Sequence, residues 1–464
     1  MNINTTRSDD AYISKRKAEV EQINAHARDK GKSALARDQW LLRGIPIDCE
    51  SVLTEEQIQE VKDFWKPYEF AYQNDWRLQA MYSAVSGKFD PSYFGFGLQR
   101  YLLLPFFNHT TFQMIGDKTF THLFFPETKM PRTLLINCGG EYLDEHRNRL
   151  HYQEAVDVLL GQLKNSRYGE GVIKPGRGGE GKDITFLSHT VKKDELENIL
   201  KRYGRDYICQ EVIKNHESFA KLYSGSLNTL RMCTFLWRDE IKFAGAVLRM
   251  GTTKRVDNWS QGGLACGVDA SGRLQKYAFT EKGEKVTAHP TTHCLFEGHK
   301  LYKFQEATEL VKRLHARIPQ QKYISWDITV DEDGDLELIE LNSPGSHELL
   351  QMSGQNGYGN REAVKEIFYK YLVESFFYER ATFDWDYREF SDHVSLRKWC
   401  GLSEVIYIPS HIDGKPVRIV YENSINDVRV KEIHVPASVM MNSRACTRVA
   451  KDCKIITSVQ QSDI

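Results

Sequence analysis

Between Gly171 and Leu341 the chain is written in short β-branched runs separated by glycines and charged turns, a pattern that commits its middle to sheet. The runs are Val172 to Lys174, Ile184 to Leu187, Tyr207 to Val212, Thr229 to Trp237, Ile241 to Met250, Tyr323 to Val330 and Leu336 to Leu341. Turns through Arg238-Asp239-Glu240 and through Asp333-Gly334 join four of them into two hairpins of a mostly antiparallel sheet. Helical periodicity over Phe304 to Ile318 and Arg361 to Phe377 interleaves helices with the strands, so the expected class is α+β. Ahead of the sheet region, residues 1 to about 40 are rich in Lys, Arg, Glu and Ala and favour helix. Thr54 with Gln57 three residues later predicts a capping box. Tyr82 to Phe125 reads as packed core broken by Pro91 and Pro105. Beyond Asp384 short strands with turns such as Asp413-Gly414 return. The expected division is a helical region over 1–110, a central domain over 111–380 and a small β-rich domain over 381–464.

A chain of 464 residues exceeds one ordinary core, which suits a multi-part enzyme. Its 62 basic and 63 acidic residues leave a formal charge of -1, so no global field draws nucleic acid or anionic membrane. The nine cysteines are scattered singly, without metal-ligand spacing or a disulfide framework, as befits a reducing cytoplasm. The most apolar stretch, Tyr93 to Phe107, is interrupted by Gln99, Arg100 and Pro105 and is too short for a bilayer. The N-terminus lacks the layout of a secretory signal. A cytoplasmic protein with no membrane span and no nucleic-acid partner is expected.

Two clusters carry chemistry. Val172-Ile173-Lys174-Pro175-Gly176-Arg177-Gly178-Gly179-Glu180-Gly181-Lys182 is a strand ending in a cation, followed by four glycines in six positions. Such a loop can lay N–H groups over phosphate, with Lys174 as a point charge and Arg177 and Lys182 adding charge. A surface hairpin is the alternative reading, since this is not the spacing of a P-loop. The second cluster is Asp327 in one strand and Glu340 and Asn342 in its hairpin partner. Glu340 and Asn342 are two apart and project to one side. Three hard oxygen side chains suit Mg²⁺ bridging nucleotide phosphates; ordinary hairpin carboxylates are the alternative. The run Asp331 to Asp335 lacks the spacing of a calcium loop and reads as the turn. Arg231 and Arg249 lie on adjacent strands, where an arginine among apolar neighbours needs an anion: a transferred phosphoryl, a substrate carboxylate or a structural Asp or Glu.

Taken in order, Ile115-Gly116-Asp117-Lys118, the Lys174 strand and its loop, Gln210-Glu211-Val212-Ile213, Ser226-Leu227-Asn228-Thr229-Leu230-Arg231, Val256-Asp257-Asn258 with Gly262-Gly263, and Asp327 with Glu340-Leu341-Asn342 resemble the ATP-grasp superfamily. The branch most similar is the sugar-transfer-associated one, and the resemblance covers roughly Ile115 to Lys370. It implies an ATP-grasp fold, in which two α/β subdomains grip ATP between mostly antiparallel sheets. It makes Lys118 and Lys174 the nucleotide lysines. Gln210, Glu211, Val212 and Ile213 become the hinge that meets adenine and ribose, and Gly176, Arg177, Gly178 and Gly179 the phosphate loop. Asp327, Glu340 and Asn342 become ligands of Mg²⁺, two ions being expected and Mn²⁺ an alternative. Arg231, Arg249, Lys182 and Asn228 are the candidates at the reacting groups, and Trp259 to Gly263 a candidate lid.

The implied activity joins a small-molecule carboxylate to an amine or other nucleophile through an acyl phosphate, releasing ADP and phosphate. A sugar acid, amino acid or peptide is the expected substrate, and a small-molecule kinase or an ATP-binding scaffold the alternative. No Ser/His/Asp or Cys/His nucleophile constellation is required, and the fifteen histidines read as packing or solvent residues. Val405 to Val417 and Ile433 to Val439 resemble a truncated pair of bacterial surface-antigen-type leucine-rich repeats. A β-rich seal, a homodimer contact or a protein partner are the roles expected for them.

Overall fold

The computed structural model describes residues 32–39, 42, 44–66, 72–178, 183–237, 240–343, 347–355, 358, 364, 385–399, 404–412 and 414–458. Most of the helix expected over 1 to 40, all but one residue of that over Arg361 to Phe377, and the Arg238-Asp239 and Asp413 turns lie outside the described residues. The chain forms two compact units, one of residues 34–64 and 74–361, the other of residues 1–33, 65–73 and 362–464.

The larger unit is built on two antiparallel sheets. The first has strands β1 (Thr133–Cys138), β2 (Glu141–Leu143), β3 (Arg149–Leu150), β4 (Glu170–Pro175), β5 (Thr185–Ser188) and β6 (Tyr207–Glu211), in the order β3-β2-β1-β6-β4-β5. The helices Tyr152–Asn165 and Lys193–Tyr203 cover one face. Ala155, Val156, Leu159 and Leu163 of one and Leu196 and Leu200 of the other pack on Leu134, Leu135, Ile173 and Cys209. Those positions recur at three and four residues, so each helix buries a single stripe.

The second sheet has strands β7 (Thr229–Trp237), β8 (Glu240–Met250), β9 (Leu264–Val268), β10 (Leu274–Phe279), β11 (Lys285–Val286), β12 (Tyr323–Val330) and β13 (Leu336–Asn342), in the order β11-β10-β9-β8-β7-β12-β13. Both expected hairpins are present, Thr229 to Trp237 against Glu240 to Met250 and Tyr323 to Val330 against Leu336 to Asn342. All eight residues of β12 are buried, because a neighbouring strand flanks each edge and the helix Phe304–Ala316 lies in the same core. That helix offers Phe304, Ala307, Val311 and Leu314. Its buried His315 is fixed at both ring nitrogens, by Thr234 Oγ1 at 2.7 Å and the Gln321 carbonyl at 2.6 Å. The two sheets are joined through residues 212–228. There Asn215 donates to the Asn228 carbonyl and to Thr329 Oγ1, at 3.0 and 2.7 Å.

Ahead of the sheets, Thr54 and Gln57 form the expected capping box, with reciprocal bonds of 3.0 and 3.2 Å opening the helix Glu55–Trp65. The apolar Tyr82 to Phe125 region is largely short helical turns with buried Tyr82, Phe94, Leu98 and Phe107. Among the described residues no helix is long and apolar enough to cross a membrane.

In the smaller unit, short strands pair largely in parallel. Strand β14 (Val405–Tyr407) lies beside β15 (Glu432–Pro436), and β15 beside β16 (Lys454–Ser458), with Val405 opposite Glu432 and Glu432 opposite Lys454. Parallel neighbours require the chain to return between them, so it winds around its own core of Leu396, Ile406, Val417, Ile425 and Ile433.

Candidate active site

A cleft of about 420 Å³ opens between the two sheets of the larger unit. One wall comes from β4 and β5. Glu170, Val172 and Lys174 alternate along β4 and therefore share a face, and Val172 lies opposite Phe186 on β5. The hinge residues Glu211, Val212 and Ile213 line the back. Ile339 and Glu340 of β13, Asp327 of β12, and Thr229 and Arg249 of the β7–β8 hairpin form the other wall. Apolar Val172, Ile184, Phe186 and Ile339 line it together with the cations Lys118, Lys174, Arg249 and Arg255, a combination that suits a planar ring joined to an anion.

The second wall carries an ionic cluster that follows from strand register. Asp327 lies opposite Arg231 on one side and Glu340 on the other, so the three side chains share a face. Arg231 engages Asp327 through Nε with Oδ1 and through Nη2 with Oδ2, the latter at 2.9 Å. Arg249 Nη2 donates to the same Oδ2 at 2.9 Å and to Thr229 Oγ1 at 2.9 Å, and stands 3.4 Å from Asp257. The Thr229 hydroxyl bonds Asp257. Burial works against the Arg231 charge, yet Asp327 more than compensates and raises its pKa. Burial pushes the Asp257 carboxyl up against the pull of Arg249.

Glu340 sits where the walls meet. Its Oε2 pairs with Lys118 at 3.0 Å, and its Oε1 accepts from Asn342 Nδ2 at 3.2 Å. Burial alone would raise its pKa, but the charges of Lys118, Arg231 and Arg249 hold it well below the usual carboxylate range. Lys118 is pinned by its own N–H on the Gly176 carbonyl at 2.9 Å, while its ammonium donates to the Gly178 carbonyl at 3.2 Å. Lys174 is different. Its ammonium makes no hydrogen bond or ion pair among the described residues, and burial together with the nearby Lys118 lowers its pKa to about 8.

Several expected site residues are placed otherwise. Asp327, read as a metal ligand, spends both carboxylate oxygens on guanidinium groups. Glu211, read as a ribose contact, accepts from Arg132 Nε at 3.2 Å and from the Arg167 N–H, so its carboxylate is already engaged. Asn228, read as a polar contact at the reacting groups, is wholly buried. It donates to the Phe219 and Tyr223 carbonyls at 3.0 and 2.7 Å and accepts from Ser226 at 2.9 Å, which makes it a brace of the loop before β7. Arg177 reaches back to Asp117 at 2.9 Å. Gln210 is buried, with its amide on the Pro131 carbonyl at 3.2 Å. Gly176 lies so near Asp117 that an added Cβ would stand 2.8 Å from the carboxylate, and Gly178 holds φ +104. Gly179 and Lys182 lie outside the described residues. Sequence reasoning missed Phe186, Ile339, Glu170 and Arg255 as cleft residues, because an aromatic or a charge on a strand or loop carries no spacing signal.

The donor chemistry bears on a metal. Among the described residues no three His, Cys, Asp or Glu side chains are grouped to hold an ion without further partners. Glu340 and Asn342 have the hard oxygen donors that suit Mg²⁺ with phosphate and water as its other ligands, and would hold the ion once Glu340 is released from Lys118 and from the Asn342 amide nitrogen.

Solved structures similar to this chain include the ATP-grasp ligase PsnB complexed with minimal precursor, at 13% identity and a TM-score of 0.32, covering 58% of this chain and 62% of that one. The D-alanyl-alanine synthetase A from Vibrio cholerae O1 biovar eltor matches at 12% identity and a TM-score of 0.33, over 56% of this chain and 65% of that one. D-cycloserine synthetase DcsG matches at 14% and 0.32, over 55% and 70%. The chain thus spans less than two thirds of the first two. No curated protein matches it significantly. The profile of the sugar-transfer associated ATP-grasp family matches residues 99–366, more than half of the chain, and includes both sheets and every wall of the cleft; the chain belongs to that family and has its α+β ATP-grasp fold.

Proposed function

We propose that the cleft binds MgATP and that the protein is an ATP-dependent ligase, activating a carboxylate as an acyl phosphate for capture by an amine or another nucleophile. The observation that carries this reading is the Lys174 ammonium on the cleft wall, which makes no hydrogen bond or ion pair among the described residues and shares the cleft with Val172, Phe186, Ile339 and the Arg249, Asp327 and Glu340 cluster. A buried cation that makes no ion pair among the described residues, and whose pKa burial and Lys118 lower despite the nearby Glu340 and Asp327, calls for an anionic ligand, and a polyphosphate attached to a planar base fits this mixed lining.

In this reading the base lies in the slot of Val172, Phe186 and Ile339. The backbone of Val212 and Ile213 meets its edge. Lys174 and Lys118 receive the phosphates, and the loop at Gly176 to Gly178 covers them. Glu340 and Asn342 would hold magnesium, and the ion when bound would supply charge neutralisation for the phosphates. Arg249, kept in place by Asp327 and Thr229, faces the γ-phosphoryl group and the carboxylate that attacks it. Arg231 is the second partner that orients Asp327. The carboxylate oxygen bonds to the γ-phosphorus as the bond to the ADP oxygen breaks. The nucleophile then adds to the acyl carbon and expels phosphate. The protein's share is position and charge, so no covalent nucleophile is required. A sugar acid, amino acid or peptide is the proposed carboxylate class. The parallel stacking of β14, β15 and β16 supports a repeat-like reading of the smaller unit.

The test is phosphate release from MgATP against a panel of carboxylates, each with and without amines, with Glu340→Ala alongside. Release that needs both partners and is lost in the variant is expected. Stable phosphorylation of a single acceptor would replace the ligase with a kinase, and absence of MgATP binding would remove both.

A further inference from the structure

The loop of residues 251–263, between β8 and β9, is anchored to its own sheet and reaches across to the other. At its roots the Gly251 N–H donates to Ser226 Oγ at 3.0 Å, and Trp259 Nε1 to the Phe279 carbonyl at 3.2 Å. Asn258 caps the turn that follows by accepting from the Ser260 N–H and hydroxyl, at 3.1 and 3.0 Å. Asp257 ties the loop to Thr229 and stands 3.4 Å from Arg249. From this fixed base Arg255 extends to the first sheet. Its two terminal nitrogens each lie 3.0 Å from a Glu170 oxygen, and its guanidinium carbon stands 3.9 Å over the Phe186 ring.

The pair is partly exposed, with 47% of the Arg255 side chain and 32% of that of Glu170 accessible, so its geometry rather than its charge sets it apart. An exposed pair contributes little, but a bidentate fork fixes orientation, and stacking on an aromatic face adds a second attraction in the same geometry. Its position matters more. Glu170 shares the β4 face with Val172 and Lys174, and Phe186 lies opposite Val172, so the contact closes the edge of the apolar slot whose far end is Lys174. A planar base seated there has Arg255 across its exit.

We propose that Arg255 is a positioning residue for the nucleotide: its clasp on Glu170 and Phe186 holds the 251–263 loop over the base, and opening the clasp controls nucleotide exchange. The proposal rests on the nucleotide reading of the cleft. Because Asp257 and Arg255 stand two residues apart, the loop couples the arginine of the phosphate end to closure at the base end.

The experiment follows dissociation of the fluorescent nucleotide mant-ADP, with Mg²⁺, by stopped flow. Arg255→Ala is expected to raise the dissociation rate about tenfold while association changes less than threefold, and Phe186→Leu to raise it by a smaller factor. The Glu170→Ala/Arg255→Ala double variant is expected to release nucleotide no faster than Arg255→Ala alone, since both remove one clasp. Addition of salt is expected to speed release from the wild type more than from Arg255→Ala. A dissociation rate for Arg255→Ala within twofold of the wild type would overturn the clasp while leaving the nucleotide reading intact. Failure of the wild type to bind mant-ADP at all would remove the nucleotide reading, and the clasp with it.

Discussion

The two walls of the cleft handle charge in opposite ways. On the seven-stranded sheet Arg231, Arg249, Asp257 and Asp327 satisfy one another in a buried network, so that wall stands in its working arrangement before any ligand arrives. On the six-stranded sheet Lys174 has no ion pair among the described residues and its charged form is penalised. One wall has already met the cost of desolvating its charges through internal pairing, while the other holds that cost open for a ligand to relieve. The lesson is that stability and affinity sit on different sheets, and single substitutions can separate them.

The largest expected effect comes from breaking the paired wall. Asp327→Asn would leave two guanidinium groups buried against a neutral amide, and loss of one member of a buried network costs about 3–5 kcal/mol. Chemical denaturation of the purified variant should show that loss. A variant as stable as the wild type would mean that the network is solvated and that the contrast between the walls is false. Lys174→Met should do the reverse. Removal of an unpartnered cation leaves the denaturation midpoint unchanged or higher, whereas MgATP affinity falls roughly 100-fold, the scale of about two charge-assisted hydrogen bonds. Calorimetric titration beside a thermal melt reads both, and a fall in stability without a fall in affinity would exchange the roles of the walls.

Smaller effects sharpen the comparison. Asp257→Asn keeps a partner for the Thr229 hydroxyl but weakens the 3.4 Å approach to Arg249, so about 1 kcal/mol of stability should be lost, well short of the Asp327 effect. The last prediction concerns protons. With its pKa lowered to about 8, Lys174 is half charged at pH 8 in the free protein. Phosphate beside it favours the charged form, so the pKa rises on binding and the complex takes up to about half a proton from solution at that pH. Titrations in buffers of different ionisation enthalpy should detect the uptake near pH 8, see it vanish near pH 6, where the lysine is already charged, and see it vanish in Lys174→Met.

Legibility from sequence was uneven for physical reasons. The strands β4 to β8, β12 and β13 were readable because β-branched runs between turn residues have few alternative folds. The helix Phe304–Ala316 was readable from its single apolar stripe. Strands β1 to β3 and the helices Tyr152–Asn165 and Lys193–Tyr203 were not, since their charged outer faces and short apolar segments resemble loop text until a sheet lies beneath them. At the site, Lys174, Lys118, Arg249 and Glu340 could be named as candidates. The occupation of Glu211 by Arg132 and Arg167 could not, because those partners lie 79 and 44 residues away in sequence.

By itself, then, the amino-acid order determined that the middle of this protein is antiparallel sheet with interleaved helix, and that cations and carboxylates with motif spacing accompany it. Local propensity and period act over a few residues and need no partner to be read. Which charge meets which was decided only by tertiary structure. Strand register set Asp327 between Arg231 and Glu340, and the seven-stranded sheet presented Asp327 to Arg249, while among the described residues Lys174 met no counter-charge at ion-pair distance. The fold carried Arg255 across the cleft to Glu170 and Phe186. Ionic pairing falls off within a few ångströms, so its outcome depends on distances that no spacing along a chain specifies.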